Sequence, residues 1–157
     1  MERIWAPWRM KYIEMKKPED CFLCILPKDT DDVANYILYR GQWNFVIMNS
    51  YPYNPGHLLV APSRHIANLE ELTGEEIQEH LSVVSQGIKV LKQVLNPSGF
   101  NIGMNIGRIA GAGIDTHLHS HIVPRWLGDT NFMTVTSDVR VLPEALAETY
   151  EKLKDKF

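Results

Sequence analysis

The chain has 157 residues, 45% apolar and 22% charged, with a formal net charge of −3. That length can bury a real core in one domain, residues 1–157, and the composition is that of an ordinary soluble globular protein. No apolar run approaches the ~20 residues a bilayer-spanning helix needs, no signal-peptide pattern is evident, and no dense basic run offers a nucleic-acid footprint, so the expectation is a cytoplasmic protein with neither membrane nor nucleic acid as partner.

The first twenty residues carry Trp5, Pro7, Trp8 and Tyr12 among charges and suggest no firm element; tryptophans near a terminus more often cap a core or a subunit contact than bind a ligand. The only cysteines follow, in Cys21-Phe22-Leu23-Cys24. Such a pair can be a redox dithiol, half of a zinc site or two inert buried thiols. A thioredoxin-like dithiol wants a βαβ setting that the pattern lacks, and a zinc half-site needs two more ligands, for which His65 is one candidate.

Lys28 to Asp32 reads as polar loop. Ile37 to Arg40 and Trp43 to Asn49 read as two strands around a Gly41-Gln42 turn. Ser50 to Gly56, with two prolines and a glycine, is a loop, and a third strand is expected from His57 to Val60. Taken alone, Asn49 is a turn residue bonding its own backbone. Thr73-Gly74-Glu75-Glu76 has capping-box spacing. Behind it Ile77, Leu81, Val84, Ile88, Leu91 and Leu95 recur at three and four, predicting a long amphipathic helix ended by Asn96-Pro97-Ser98-Gly99. His80 flanks that stripe and is expected in solvent; the helix reads as scaffold.

Phe100, Ile102, Met104 and Ile106 alternate with Asn101, Gly103, Asn105 and Gly107, a strand with one apolar and one small polar face. The small face leaves room for a ligand, with Asn105 as a polar contact on it or as an amide bonding the backbone. Gly111 and Gly113 lie in the loop from Arg108 to Asp115, where glycine lets backbone N–H groups approach an anion. The lysine and hydroxyl of a Walker loop are missing, and a plain hairpin loop is the alternative.

In Thr116-His117-Leu118-His119-Ser120-His121-Ile122-Val123-Pro124-Arg125, three of six histidines recur at spacing two. On a strand they share one face, each about 6.6 Å from the next, with Leu118, Ser120 and Ile122 on the other. Imidazoles need partners for two nitrogens when buried, and they can serve as nucleophile, proton donor or metal ligand. One reading is a catalytic three-histidine zinc centre, although successive same-face residues on one strand are splayed for convergence on one ion. Beyond, Thr134 to Thr136 is expected to extend a strand, and Pro143 to open a last helix with Leu146, Tyr150, Leu153 and Phe157 on one face. The sum is an α+β fold: about five strands, mainly antiparallel, with two helices.

The histidine stretch resembles the signature of the histidine triad family, and Asn54-Pro55-Gly56-His57-Leu58-Leu59-Val60 resembles that family's upstream strand. Pro124 to Phe132 is similar to the bacterial branch akin to diadenosine tetraphosphate phosphorylases. Ser120 departs from the pattern, which has an apolar residue there; it faces away from the histidines and bears on packing. The resemblance implies that His119 is a nucleophile forming a covalent nucleotidyl intermediate, its ring oriented by a backbone carbonyl. It implies that His121 and His57 contact phosphate oxygens or that carbonyl network, and that His117 relays protons or ligates metal. It implies Asn49 at the ribose and a structural zinc on Cys21, Cys24, His65 and His117. The implied substrate is a nucleotide or dinucleoside polyphosphate such as diadenosine tetraphosphate, attacked at its α-phosphate, with phosphate or water as acceptor; the implied assembly is a homodimer. Other readings are a nucleoside phosphoramidate hydrolase, a nucleotide-binding protein without turnover, a zinc-dependent hydrolase and a zinc-held structural module.

Overall fold

The computed structural model describes residues 21–129 and 142–157. Trp5, Trp8 and the expected strand extension at Thr134 to Thr136 lie outside the described residues. Five strands, β1 (Ile37–Arg40), β2 (Asn44–Met48), β3 (Leu58–Pro62), β4 (Gly99–Met104) and β5 (Ser120–Arg125), form one antiparallel sheet in the order β1-β2-β3-β5-β4. Four α-helices accompany it among the described residues: α1 (Phe22–Ile25), α2 (Asp32–Asn35), α3 (Gly74–Leu95) and α4 (Leu146–Leu153). The α+β expectation of about five strands and two substantial helices holds, with α1 and α2 as short additions. Among the described residues no helix is long and apolar enough to cross a membrane.

Both faces of the sheet centre are covered, which is why β2 and β3 are buried at every position and read as continuous apolar runs. Val46, Met48, Leu58, Val60 and Ile122 face α3 and α4, packing with Val83, Val84, Leu91, Tyr150 and Leu153. Phe45, Ile47, Leu59 and Ala61 face the other way, onto Leu23, Phe22 and Leu26 of the segment that carries the cysteines. The period of two then sorts the functional residues. Leu59 pairs with His121 and Val60 with Ser120, so His57 and His121 share the cysteine side while Ser120 points to α3.

The α3 capping box forms as expected, with Thr73 accepting from the Glu76 N–H and Glu76 from the Thr73 N–H. Its buried face is rotated from the predicted stripe: Glu76, His80, Val83, Val84, Gly87, Val90 and Leu91 are inside, while Ile77 and Leu81 are 39% and 62% exposed. The reason is that polar and small residues occupy buried positions for specific partners. Glu76 takes two bonds from Arg64, His80 meets the sheet, and a Cβ on Gly87 would stand 3.0 Å from Ile122. His80, expected in solvent, is 1% exposed.

Other boundaries differ slightly. β3 begins at Leu58, leaving His57 just before it, and β2 is trimmed to Asn44–Met48. β4 ends at Met104, and as one of the two edge strands of the described sheet it leaves Ile102 49% exposed. Pro143 does not open the last helix, which starts at Leu146; Tyr150 anchors that helix by donating to the Asp32 and Ile37 carbonyls, each at 3.1 Å.

Candidate active site and metal centre

Only His121 of the three alternating histidines lies within β5; His117 and His119 sit in the extended segment leading into it. That segment is held to the rest of the fold by the Leu118 N–H donating to the Ile66 carbonyl at 2.7 Å. The three rings do not converge on a single point.

His117 is buried, and its two nitrogens are both occupied away from its neighbours. Nε2–H donates to the Pro62 carbonyl at 2.8 Å, so Nδ1 carries the lone pair. Nδ1 lies 3.3 Å from Cys21 Sγ and 3.4 Å from Cys24 Sγ, while His65 Nδ1 lies 3.1 Å from Cys24 Sγ. The ligand atoms of Cys21, Cys24, His65 and His117 are all within 4.8 Å of one another. Two thiols and two imidazoles at this separation suit a tetrahedral zinc-type ion, and the Pro62 carbonyl supplies the outer partner that fixes the ligating tautomer. Burial keeps the His117 imidazole neutral by pushing its pKa down. Burial, with Cys24 adjacent, pushes the Cys21 thiol up, so without an ion the thiol stays protonated. Of the two roles expected for His117, these contacts suit the ligand role: one nitrogen meets the cysteines and the other the Pro62 carbonyl.

His119 is 4% exposed. Its Nδ1–H donates to the His117 carbonyl at 2.8 Å, the tautomer of the neutral ring that carries its lone pair on Nε2. Its ring meets His121 edge-on, centroids 4.9 Å apart. On the other side the Tyr53 N–H donates to His57 Nδ1 at 3.1 Å. That fixes the proton of His57 on Nε2, which donates to His121 Nδ1 at 2.9 Å. The remaining proton of His121 therefore sits on Nε2. Burial, reinforced by His119, holds the His121 pKa down at about 4, so the ring is neutral at pH 7. The arrangement thus pairs an imidazole bearing a lone pair with an imidazole bearing an N–H.

His121 borders a cavity of about 260 Å³ lined also by Tyr53, Asn101, Gly103, Asn105 and Arg125. Asn105 lines it and also donates to the Gly111 carbonyl at 3.4 Å, the backbone bond expected of this amide. Asn49 combines two roles as well: Oδ1 accepts from the Tyr51 N–H at 2.9 Å, a local turn, and Nδ2 lies 3.3 Å from His57 Nδ1. Gly111 has φ of +89° and ends a short 3-10 turn, Arg108–Ala110, whose start Gly107 is at +82°. Gly111 and Gly113 are exposed. Neither Tyr53 nor Arg125 stands out in the sequence as a site residue; a tyrosine between two prolines carries no spacing signal.

Comparison with known proteins agrees with this geometry. Residues 31–126 match the HIT domain. The chain is 38% identical to an AP-4-A phosphorylase of Mycobacterium tuberculosis, over all of this chain and 85% of that protein. It is 34% identical to an asymmetrical bis(5'-nucleosyl)-tetraphosphatase of Schizosaccharomyces pombe, over 62% of this chain and 53% of that one. A zinc-bound histidine triad protein from Mycobacterium smegmatis superposes with a TM-score of 0.67 at 26% identity, covering 86% of this chain and 90% of that one. The fold and the alternating histidines define a histidine triad protein. The chain belongs to the HIT family.

Proposed function

We propose that this protein is a dinucleoside polyphosphate phosphorylase that transfers a nucleotidyl group through His119. The observation that carries the reading is the state of the His119 ring: Nδ1–H is committed to the His117 carbonyl, which aims a free Nε2 lone pair beside the His121 N–H. Whole-length similarity to an AP-4-A phosphorylase supports the substrate class and phosphate as acceptor.

In the first step Nε2 of His119 attacks the α-phosphorus of diadenosine tetraphosphate. A P–N bond forms, the bridging P–O bond breaks, and ATP leaves with the electron pair. The Nε2–H of His121 donates to the phosphate oxygens as charge gathers on them, with His57 holding that ring in the donating tautomer. In the second step a phosphate oxygen attacks the same phosphorus, the P–N bond breaks, and ADP is released; with water instead, the product is AMP. Asn49 contacts the ribose and the loop bearing Gly111 and Gly113 lies by the phosphates, with Asn105 on the cavity wall. Cys21, Cys24, His65 and His117 hold a zinc ion whose contribution is structural, tying the cysteine segment to the histidine segment. The outer edge of β4, with Ile102 exposed, is the sheet edge through which a homodimer forms.

Incubation with diadenosine tetraphosphate, with and without phosphate, tests the reading. ADP plus ATP in equal amounts, only when phosphate is present, is the expected result. AMP plus ATP in either case makes the protein a hydrolase, and no cleavage overturns the enzymatic reading. A nucleotide complex with its phosphates far from His119 refutes the placement.

A further inference from the structure

Behind the histidine segment, on the face turned away from the site, a second histidine is engaged in a polar chain that the proposed reaction does not use. His80 of α3 is 1% exposed and Ser120, between His119 and His121, is 3% exposed. His80 Nε2 lies 2.7 Å from Ser120 Oγ, and His80 Nδ1 lies 2.7 Å from Asn44 Oδ1 on β2. Asn44 is fully buried. Its Nδ2 donates to the Glu76 carbonyl at 3.2 Å and to Glu79 Oε2 at 2.9 Å, so its Oδ1 is the acceptor and His80 Nδ1 carries the proton. His80 Nε2 then has the lone pair, and the Ser120 hydroxyl must donate to it. Glu79 closes the chain by also accepting from the Gln42 and Trp43 N–H groups, both at 2.7 Å.

This chain crosses from β2 through α3 to the first residue of β5. The rest of the sheet face against α3 is apolar, so a hydroxyl and an imidazole there are tolerable only as each other's partner. Ser120 is the hinge between the irregular segment holding His119 and the paired strand holding His121; its register partners are Val60 and Met104. A hydrogen bond from its side chain therefore fixes the rotation of the backbone at the point where the two catalytic rings diverge.

We infer that His80 and Ser120 are a buried positioning pair that sets the rate of the reaction by holding His119 and His121 in register, without touching substrate. The inference rests on the proposed nucleotidyl transfer for its kinetic readout. Misplacement of reacting groups by under an ångström lowers turnover while leaving ground-state binding nearly intact.

Threonine and valine at position 120 have the same shape and differ in the hydroxyl, which isolates the bond from the packing. With diadenosine tetraphosphate and phosphate, below the melting temperature of every variant, Ser120→Thr is expected to keep kcat within about threefold of wild type. Ser120→Val is expected to lose roughly ten- to hundredfold in kcat with KM little changed. Equal kcat in the two variants overturns the inference and leaves the pair a matter of stability alone. Imidazole ¹⁵N spectra give a readout independent of turnover. In wild type His80 should be neutral with its proton on Nδ1, and the His119 signals should shift in Ser120→Val but not in Ser120→Thr. A His80 proton on Nε2, or His119 signals equally unmoved in both variants, overturns the inference even if the valine variant is too unstable to assay. Wild type without turnover overturns the functional reading instead, and the spectra then decide this one.

Discussion

The His119 ring is oriented by a main-chain atom: its Nδ1–H donates to the carbonyl oxygen of His117, two residues back, across 2.8 Å. A carbonyl cannot titrate or be removed by side-chain substitution, so the tautomer that exposes Nε2 is built into the backbone path. If that nitrogen is the nucleophile, His119→Ala should lower kcat by several orders of magnitude while leaving folding and most nucleotide binding intact. His57→Ala and His121→Ala should cost less, because they remove donors and not the bond-forming atom. An acid-labile, alkali-stable nucleotidyl adduct should be trapped on His119 and be missing from His119→Ala. Near-wild-type turnover in that variant excludes the covalent route.

The ligand cluster has its own expectation. Purified protein should carry about one zinc per chain. Cys21→Ser and His65→Ala should each lower the metal content and reduce the melting temperature by about 5 °C or more. Elemental analysis and thermal denaturation measure both. Metal-free wild type of unchanged stability sinks the assignment.

Acid should act on the protein through its buried imidazoles before its carboxylates. Burial holds the His80 pKa at about 4, against an ordinary value of 6.5. As pH falls below 6.5 the unfolded chain takes up a proton that the folded chain refuses until about pH 4. The contribution to stability is therefore full above pH 6.5 and is lost between 6.5 and 4, amounting to about 3 kcal/mol for this one group. His121 acts in the same direction over the same window. Glu76, held at about 2 by its bonds from Arg64 and Thr73, contributes at lower pH. Urea denaturation as a function of pH should show His80→Gln with a shallower slope between 6.5 and 4, by about one proton.

Gly56 precedes His57 with φ of +73°, and a Cβ there would stand 2.5 Å from Leu95 and 3.0 Å from Leu91. Gly56→Ala combines left-handed strain with overpacking, for an expected loss of about 2 kcal/mol in chemical denaturation. Since the left-handed strain falls on the residue adjoining His57, activity should fall with it. A variant as stable as wild type contradicts the tight approach of α3 to this turn.

Much of the site is legible in the sequence because its signals are local. Alternation by two places His121 and Ser120 on opposite faces, and the family resemblance names Cys21, Cys24, His65 and His117, which converge. The helix cap of α3 and most strand centres follow from turn and capping chemistry. What escapes is long-range. The phase of α3 is hidden because a hydrophobic stripe assumes that buried means apolar, whereas Glu76 and His80 are inside by virtue of partners 12 and 40 residues away. Ser120 on its strand and His80 beside its stripe are each unintelligible until seen together. Tyr53 and Arg125 reach the cavity through the pairing of strands and loops distant in sequence.

The four candidate ligands come from three stretches of chain: Cys21 and Cys24 before β1, His65 after β3, and His117 before β5. Cys21 and His117 are 96 residues apart, and Cys24 and His65 are 41 apart. An ion joining them closes a loop comparable to that of a long disulfide, a constraint worth about 4 to 5 kcal/mol in unfolded-chain entropy for a cross-link of such span. Because His65 follows β3 and His117 precedes β5, an ion held there would latch the cysteine segment onto the paired sheet. Its removal should free the earliest stretch first: amide exchange around Cys21 to Ile25, where Leu23 alone is fully buried, should accelerate before that of β2 and β3.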